Sequence, residues 1–284
     1  VVTADPGDFS PTWTWRTASG AQVQVWSPPS APRALVQFQH GFGEYGERYV
    51  HRYHGLIPHL VGLGLEVWSM DLLGHGHSPG RRGVTDVCVS VREHGDVRAR
   101  MLERGLPVLL FGHSLGGLIS AGSMLRASEG VRGVMLTAPA LVPRAPGAVR
   151  VGADLVSRVV PHVPVPVRRE PSADPALRRV ALRAAEREPL LYVGKLPMRT
   201  GATTLETASR LWRRVERWHV PSLVVHGTAD NSTDPRMSVR LVERIPAGDK
   251  TMHLVEGGRH ELLYSTGGER IVELLGSWAL EHID

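Results

Sequence analysis

The sequence predicts an α/β protein: an eight-stranded, mostly parallel sheet with helices on both faces and a helical insertion late in the chain. Three observations predict it. Short β-type runs alternate with helical segments along the 284 residues. The inner runs, such as LEVWSM and LPVLLF, are nearly continuous in apolar residues, as strands buried on both faces are. The alternation breaks after Pro139, where the stretch before the next strand exceeds what an α/β crossover needs. With 42% hydrophobic residues the chain can bury a full core.

In chain order, Trp13–Arg16 and Val23–Trp26 are expected to open the sheet as antiparallel strands. Ala34–His40, Leu65–Met70, Val108–Phe111, Val131–Thr137, Ser222–Gly227 and Thr251–Val255 follow as the remaining strands. The apolar stretch Leu106–Leu125 holds His113, Ser114 and four glycines, so it reads as a buried strand, a tight turn and the helical segment Leu115–Ala127 rather than a membrane span. Residues 1–140 and 208–284 are expected to form the core domain and residues 141–207 an inserted cap. Within the insertion, Ala148, Val149, Val151, Leu155, Val156, Val159 and Val160 fall on one half of a helical wheel, opposite Arg150, Asp154, Ser157 and Arg158. Pro161, Pro164 and Pro166 then stop the helix and leave PHVPVPV extended. The apolar face of this amphipathic helix has two readings, packing on the main domain or serving acyl chains and lipid interfaces.

Charge and cysteine content narrow the function classes. The formal charge is +5, but only Lys195 and Lys250 are lysines among 33 basic residues, and the arginines are scattered rather than gathered. That bias points to a GC-rich bacterial coding genome rather than a nucleic-acid site, while leaving attraction to membrane surfaces open. Cys88 is the single cysteine, so no intramolecular disulfide forms, and an ordinary buried thiol is its reading. Val1–Ser10 carry no basic region followed by an apolar run, and the chain starts without Met, which is compatible with a processed N-terminus. The expected protein is soluble, cytoplasmic or peripheral to a membrane, with secretion compatible with such processing.

The chemistry concentrates in Gly112-His113-Ser114-Leu115-Gly116-Gly117, between an apolar strand and a helix. A serine on so sharp a strand-to-helix turn needs glycines two residues before and after it, because side chains there would meet the neighbouring strand and helix. The helix start aims N–H groups and the positive dipole end at a developing oxyanion, with Leu115 N–H as one donor. A serine is a weak nucleophile until a histidine and a carboxylate activate it. Asp230 follows the strand Ser222–Val225 in HGTAD, and His260 follows Thr251–Val255 in EGGRHE, which gives the chain order Ser114, Asp230, His260. Asp234 competes, but Asp234-Pro235 reads as a turn or helix start. In QFQHGFGEYGERY, after the third strand, Gly41 and Gly43 let backbone approach a substrate carbonyl, with Phe42 N–H as the second oxyanion donor.

Other readings of these residues are weaker. His75-x-His77 in DLLGHGHS lacks the further acidic and histidine positions of a metallohydrolase, and no P-loop lysine accompanies HGFG, so neither a metal nor a phosphate site is expected. His113 stands beside Ser114, yet adjacent residues at an elbow point apart, which leaves it to line the alcohol-leaving side.

These blocks resemble the monoacylglycerol lipases and related lysophospholipase-type α/β-hydrolases. The resemblance spans nearly the whole chain through HGFGEYGERY, DLLGHGHSPGRRG, GHSLGG, VPSLVVHGTADNSTDP and GGRHELLYS. SADPALRR and EPLLYVGKLPMRTGA resemble the family's cap, with Ala173 in place of an arginine and Glu188 in place of an aspartate. The resemblance implies an α/β-hydrolase fold, Ser114, Asp230 and His260 as triad, Phe42 and Leu115 as oxyanion donors, and an apolar acyl tunnel beneath the cap. His113 and Tyr192 are the expected substrate contacts. The expected activity is hydrolysis of medium- to long-chain monoacylglycerols through an acyl-enzyme, with no cofactor and no nucleic-acid partner. Alternatives on the same fold are another esterase, a lysophospholipase, a serine aminopeptidase, or a catalytically silent binding protein that uses the cap as an interaction surface.

Overall fold

The computed structural model describes residues 9–165, 186–265 and 267–283. Residues 1–8, Pro166 and Val167 of the proline-rich run, and SADPALRR with Ala173 lie outside the described residues. The eight strands are β1 (Trp13–Arg16), β2 (Gln22–Trp26), β3 (Ala34–Gln39), β4 (Leu65–Met70), β5 (Val108–His113), β6 (Val131–Thr137), β7 (Ser222–Gly227) and β8 (Lys250–Val255). They form one sheet in the order β1-β2-β4-β3-β5-β6-β7-β8. β1 pairs antiparallel with β2 and β2 with β4, and every later pair is parallel. This is the α/β-hydrolase arrangement the sequence predicts. The one notable shift of boundary is β5, which continues through Gly112 and His113 in register with Leu136 and Thr137 and delivers the chain directly to Ser114.

Alternating side chains divide between two cores. Leu35, Leu110, Val134, Leu136 and Val224 face one side, where α3 (Val87–Leu102) and α4 (Leu115–Met124) pack. Val36, Phe38, Leu109, Phe111, Met135 and Val225 face the other, against α1 (Arg48–His51), α2 (Leu56–Gly62) and the final helix α8 (Gly268–Glu281). Burial on both faces explains why the inner strands read as continuous apolar runs. The edge strand β1 turns Trp13 and Trp15 toward the first core, with the Arg100 guanidinium 4.4 Å from the Trp15 ring. From β3 the chain moves to β4 on one side and later to β5 on the other. The reversal opens a crevice at the carboxyl ends of β3 and β5, the place where open α/β sheets build their sites.

Between β6 and β7 lie α5 (Gly147–Val159) and α6 (Met198–Arg214). α5 is amphipathic as predicted, but it does not pack its apolar face on the main domain: Val151, Leu155 and Val159 are 61%, 60% and 81% exposed. Three of its polar residues, Arg150, Asp154 and Ser157, turn inward, while Arg158 is exposed. Ser157 is fully buried, Arg150 pairs with Glu206, and Asp154 accepts from Arg199, which also pairs with Asp86 at the start of α3. Beyond α5 the chain is extended as expected, with Pro164 bridged to Pro197 and Val165 N–H donating to the Leu196 carbonyl at 2.9 Å. α6 runs continuously through position 207, the expected end of the insertion, and buries Ala208, Leu211 and Trp212 in the first core. Cys88 is half-buried, its Sγ 3.5 Å from the Thr207 hydroxyl, and burial pushes the thiol up, away from the reactive thiolate.

Candidate active site

Ser114 occupies the turn between β5 and α4 with φ 53° and ψ −117°, a conformation that strains any residue with a Cβ. The surroundings hold it there. Ser114 N–H donates to the Thr137 carbonyl at 3.0 Å, and its own carbonyl accepts from Ala140 N–H at 2.8 Å. A Cβ on Gly112 would lie 2.5 Å from the Gly116 carbonyl oxygen, and one on Gly116 would strike the Gln39 and His40 carbonyls at the end of β3. The two glycines of the motif are therefore a packing requirement of the elbow.

His260 and Asp230 arrive on neighbouring loops. A Cβ on Gly227 would collide with the Gly258 carbonyl, so the loops after β7 and β8 pack backbone to backbone, linked by Ala229 N–H to the Gly258 carbonyl at 2.9 Å. That contact brings His260 Nε2 to 2.9 Å from Ser114 Oγ and His260 Nδ1 to 2.7 Å from Asp230 Oδ2. An ionised carboxylate only accepts, so Nδ1 carries the proton and Nε2 is the acceptor facing the hydroxyl. Ser114 and His260 are both buried and the Asp230 side chain has no exposure. Asp234 is the N-cap of α7 (Pro235–Arg244), accepting from Arg236 N–H.

Burial pushes the Asp230 carboxyl up, but the hydrogen bonds from His226 and His260 and from the Thr233 backbone outweigh it and hold the group well below the usual carboxylate range. Ser232 and Thr233 N–H donate to Oδ1 at 2.7 and 3.0 Å, while the Thr233 hydroxyl donates to Oδ2 at 2.7 Å. Asp230 is thus a fixed negative charge beside the imidazole. The arrangement can withdraw a proton from Ser114 and stabilise the imidazolium that results.

The loop Gly41–Glu44 closes the other side of Ser114. A Cβ on Gly41 would sit 3.3 Å from Ser114 Cβ, which sets this backbone against the nucleophile position. Phe42 follows Gly41, its ring 5.6 Å from those of His75 and Tyr192. Leu115 opens α4, so its N–H has no acceptor within the helix. His113 does not touch Ser114. Its Nδ1 is 3.1 Å from the Thr137 hydroxyl, its ring stands 5.2 Å from that of His260, and burial pushes it below the ordinary imidazole range against the pull of Glu261 and Glu44. Tyr192 lies against the loop through its N–H, which donates to the Gly43 carbonyl at 2.8 Å, and its hydroxyl donates to the Lys195 carbonyl.

Glu44, Thr233 and His226 were not singled out by the sequence reading, although each sits inside a motif block. Glu44 binds Gly41 N–H at 3.1 Å and accepts from Tyr49 at 2.7 Å, from Arg48 and from Tyr53, bracing the loop from behind. Burial pushes its carboxyl up, yet His113, Arg48 and the two tyrosines bring it down to about 2. His75 and His77 do not converge: His75 is buried near Phe42, while His77 reaches Glu47 at 2.9 Å. Among the described residues, His113, His260 and Glu261 could hold a cation, with ligand atoms within 4.8 Å of one another, but both nitrogens of His260 are engaged by Ser114 and Asp230.

Comparison with known proteins shows what the chain is similar to. The family described as "Serine aminopeptidase, S33" matches residues 30–266. The chain is 31% identical to the human monoglyceride lipase over 84% of its own length and 79% of that protein's. It is 27% identical to the monoacylglycerol lipase of Mycolicibacterium smegmatis over 91% and 92% of the two chains. Among solved structures, the monoacylglycerol lipase of Paleococcus ferrophilus superposes with a TM-score of 0.76 at 29% identity, covering 92% of this chain and 99% of that one.

Proposed function

Because the chain belongs to the serine aminopeptidase S33 family of α/β-hydrolases, we propose that it is a serine esterase cleaving medium- to long-chain monoacylglycerols to fatty acid and glycerol. The observation that carries the reading is the Ser114–His260–Asp230 hydrogen-bonded line at 2.9 and 2.7 Å, in a chain 31% identical to a protein named for monoglyceride hydrolysis. His260 takes the Ser114 proton as Oγ attacks the ester carbonyl carbon, and Asp230 stabilises the imidazolium. The oxyanion is received by the N–H groups of Phe42 and Leu115, each such donor being worth about 3–4 kcal/mol in the transition state. His260 then gives its proton to the departing glycerol oxygen, leaving an acyl-Ser114 ester. Water, deprotonated by the same imidazole, releases the fatty acid and restores the serine. The sequence of steps is complete with these residues and needs no cofactor.

Residues 141–207 serve as the cap, His113 lines the alcohol side, and Tyr192 contacts the substrate. The exposed valines and leucine of α5 are suited to a lipid interface, since a Val or Leu side chain leaving water gains about 1.5–3 kcal/mol. The protein then meets its substrate at a membrane or micelle surface. No helix among the described residues is long and apolar enough to cross a membrane.

Rates on monoacylglycerols of graded chain length, short aryl esters and aminoacyl arylamides test the reading. Monoacylglycerols are expected to give the highest kcat/KM, rising with chain length. Exclusive cleavage of the arylamides would replace this function with an aminopeptidase.

A further inference from the structure

Asp230 is held by two histidines. Besides His260, His226 Nε2 lies 3.1 Å from the same oxygen, Oδ2, and His226 Nδ1 lies 2.7 Å from the Ser238 hydroxyl. Both His226 and Ser238 are fully buried. The carboxylate can only accept, so His226 Nε2 is the donor; in a singly protonated ring Nδ1 is then the acceptor for the Ser238 O–H. The polar line therefore runs Ser238, His226, Asp230, His260, Ser114. It crosses from α7 to the elbow.

We propose that His226 is a positioning residue for the reaction: it transmits the rigidity of the sheet to a carboxylate that stands on a loop. Asp230 follows β7, whereas His226 is the fifth residue of that strand, paired with Leu254 of β8, and Ser238 lies on α7 packed over it. Ser232 and Thr233 N–H fix Oδ1, but they belong to the same loop as Asp230 and move with it. Among the described residues, His226 is the donor to Oδ2 that stands on regular secondary structure, while Thr233 and His260 come from loops. A site built on loops stays within productive geometry only when its second layer is anchored. The inference rests on the proposed roles of Ser114, His260 and Asp230. It adds a residue that touches neither substrate nor reacting atoms.

His226→Phe removes the donor and His226→Gln restores one, because the glutamine amide can reach Asp230 while its carbonyl accepts from Ser238. Two readouts are taken on the full chain: the rate of serine labelling by an aryl fluorophosphonate, and kcat and KM on a monoacylglycerol. For His226→Phe the labelling rate and kcat fall on the order of tenfold, the loss of a hydrogen bond to a charged group, while KM stays within about twofold. His226→Gln recovers most of that loss. Ser238→Ala, which frees the ring without removing it, lowers both rates roughly threefold and carries the test if His226→Phe does not fold. Wild-type labelling and kcat in folded His226→Phe or Ser238→Ala overturn the role of His226, as does equal loss in the Phe and Gln variants. Absence of labelling in the wild-type protein overturns the catalytic reading itself, and the inference with it.

Discussion

The sheet with its elbow and the α5–α6 insertion use amphipathic sequence in opposite senses. In the inner strands of the sheet, apolar means buried: Leu110 and Phe111 have essentially no exposure. In α5 the apolar side faces water, and the charged side faces protein through Arg150–Glu206, Asp154–Arg199 and Arg199–Asp86. Hydrophobic periodicity establishes that a helix has two faces, and what stands opposite decides which of them is buried. Opposite α5 stands α6, whose contacting side offers Arg199 and Glu206. The outward apolar stripe is then a surface available to a partner without any change in the core.

Four variants sharpen or break this contrast. The largest effect is expected at the elbow. Gly116→Ala places a methyl group against the Gln39 and His40 carbonyls, which are backbone and cannot turn aside, and should cost about 3 kcal/mol or more along with most of the activity. Urea unfolding and an esterase assay measure both; an unchanged midpoint would mean that the close approach of β3 to the elbow is wrong.

Next comes Glu44→Gln, which keeps the shape of the brace and removes its charge. The folded group sits at about 2 against an ordinary 4.5, a depressed value, so its stabilisation is present above about pH 4.5 and is lost as pH falls toward 2. The variant should be less stable than wild type by up to about 3 kcal/mol near neutral pH, and the gap should close on acidification. Unfolding free energies followed from about pH 6 to about pH 3 decide it; a constant gap would contradict the assignment.

Within the insertion, Arg199→Ala removes the partner of both Asp86 and Asp154 in a partly exposed network and should cost about 1 kcal/mol. Smallest in stability is the combined Val151→Gln, Leu155→Gln and Val159→Gln variant, expected within about 0.5 kcal/mol of wild type because these side chains are already in water. The same variant should associate with lipid vesicles roughly a hundredfold or more less well in a flotation assay. A large loss of stability would show that the apolar face of α5 is packed after all.

The unequal legibility of the two regions has a physical origin. Inner strand positions could be read because burial on both faces leaves apolar runs, and the order Ser114, Asp230, His260 because each follows a β-type run. Gly112 and Gly116 announce the elbow because sterics allow nothing larger. The orientation of α5 was not legible, since it depends on pairs distant in sequence: Arg199 and Asp86 are 113 residues apart. Glu44 and His226 escaped for a related reason. Their partners, among them Tyr49, Tyr53 and Ser238, are ordinary core residues until the fold shows which carboxylate they surround.

Ser114→Ala, assayed on a long-chain monoacylglycerol beside wild-type protein labelled with a fluorophosphonate and mapped by mass spectrometry, tests the central claim most directly. The account predicts a fall in kcat on the order of 10⁴-fold or more, with the phosphonyl group on Ser114. Retained hydrolysis in the variant, or a label on any other residue, would contradict it.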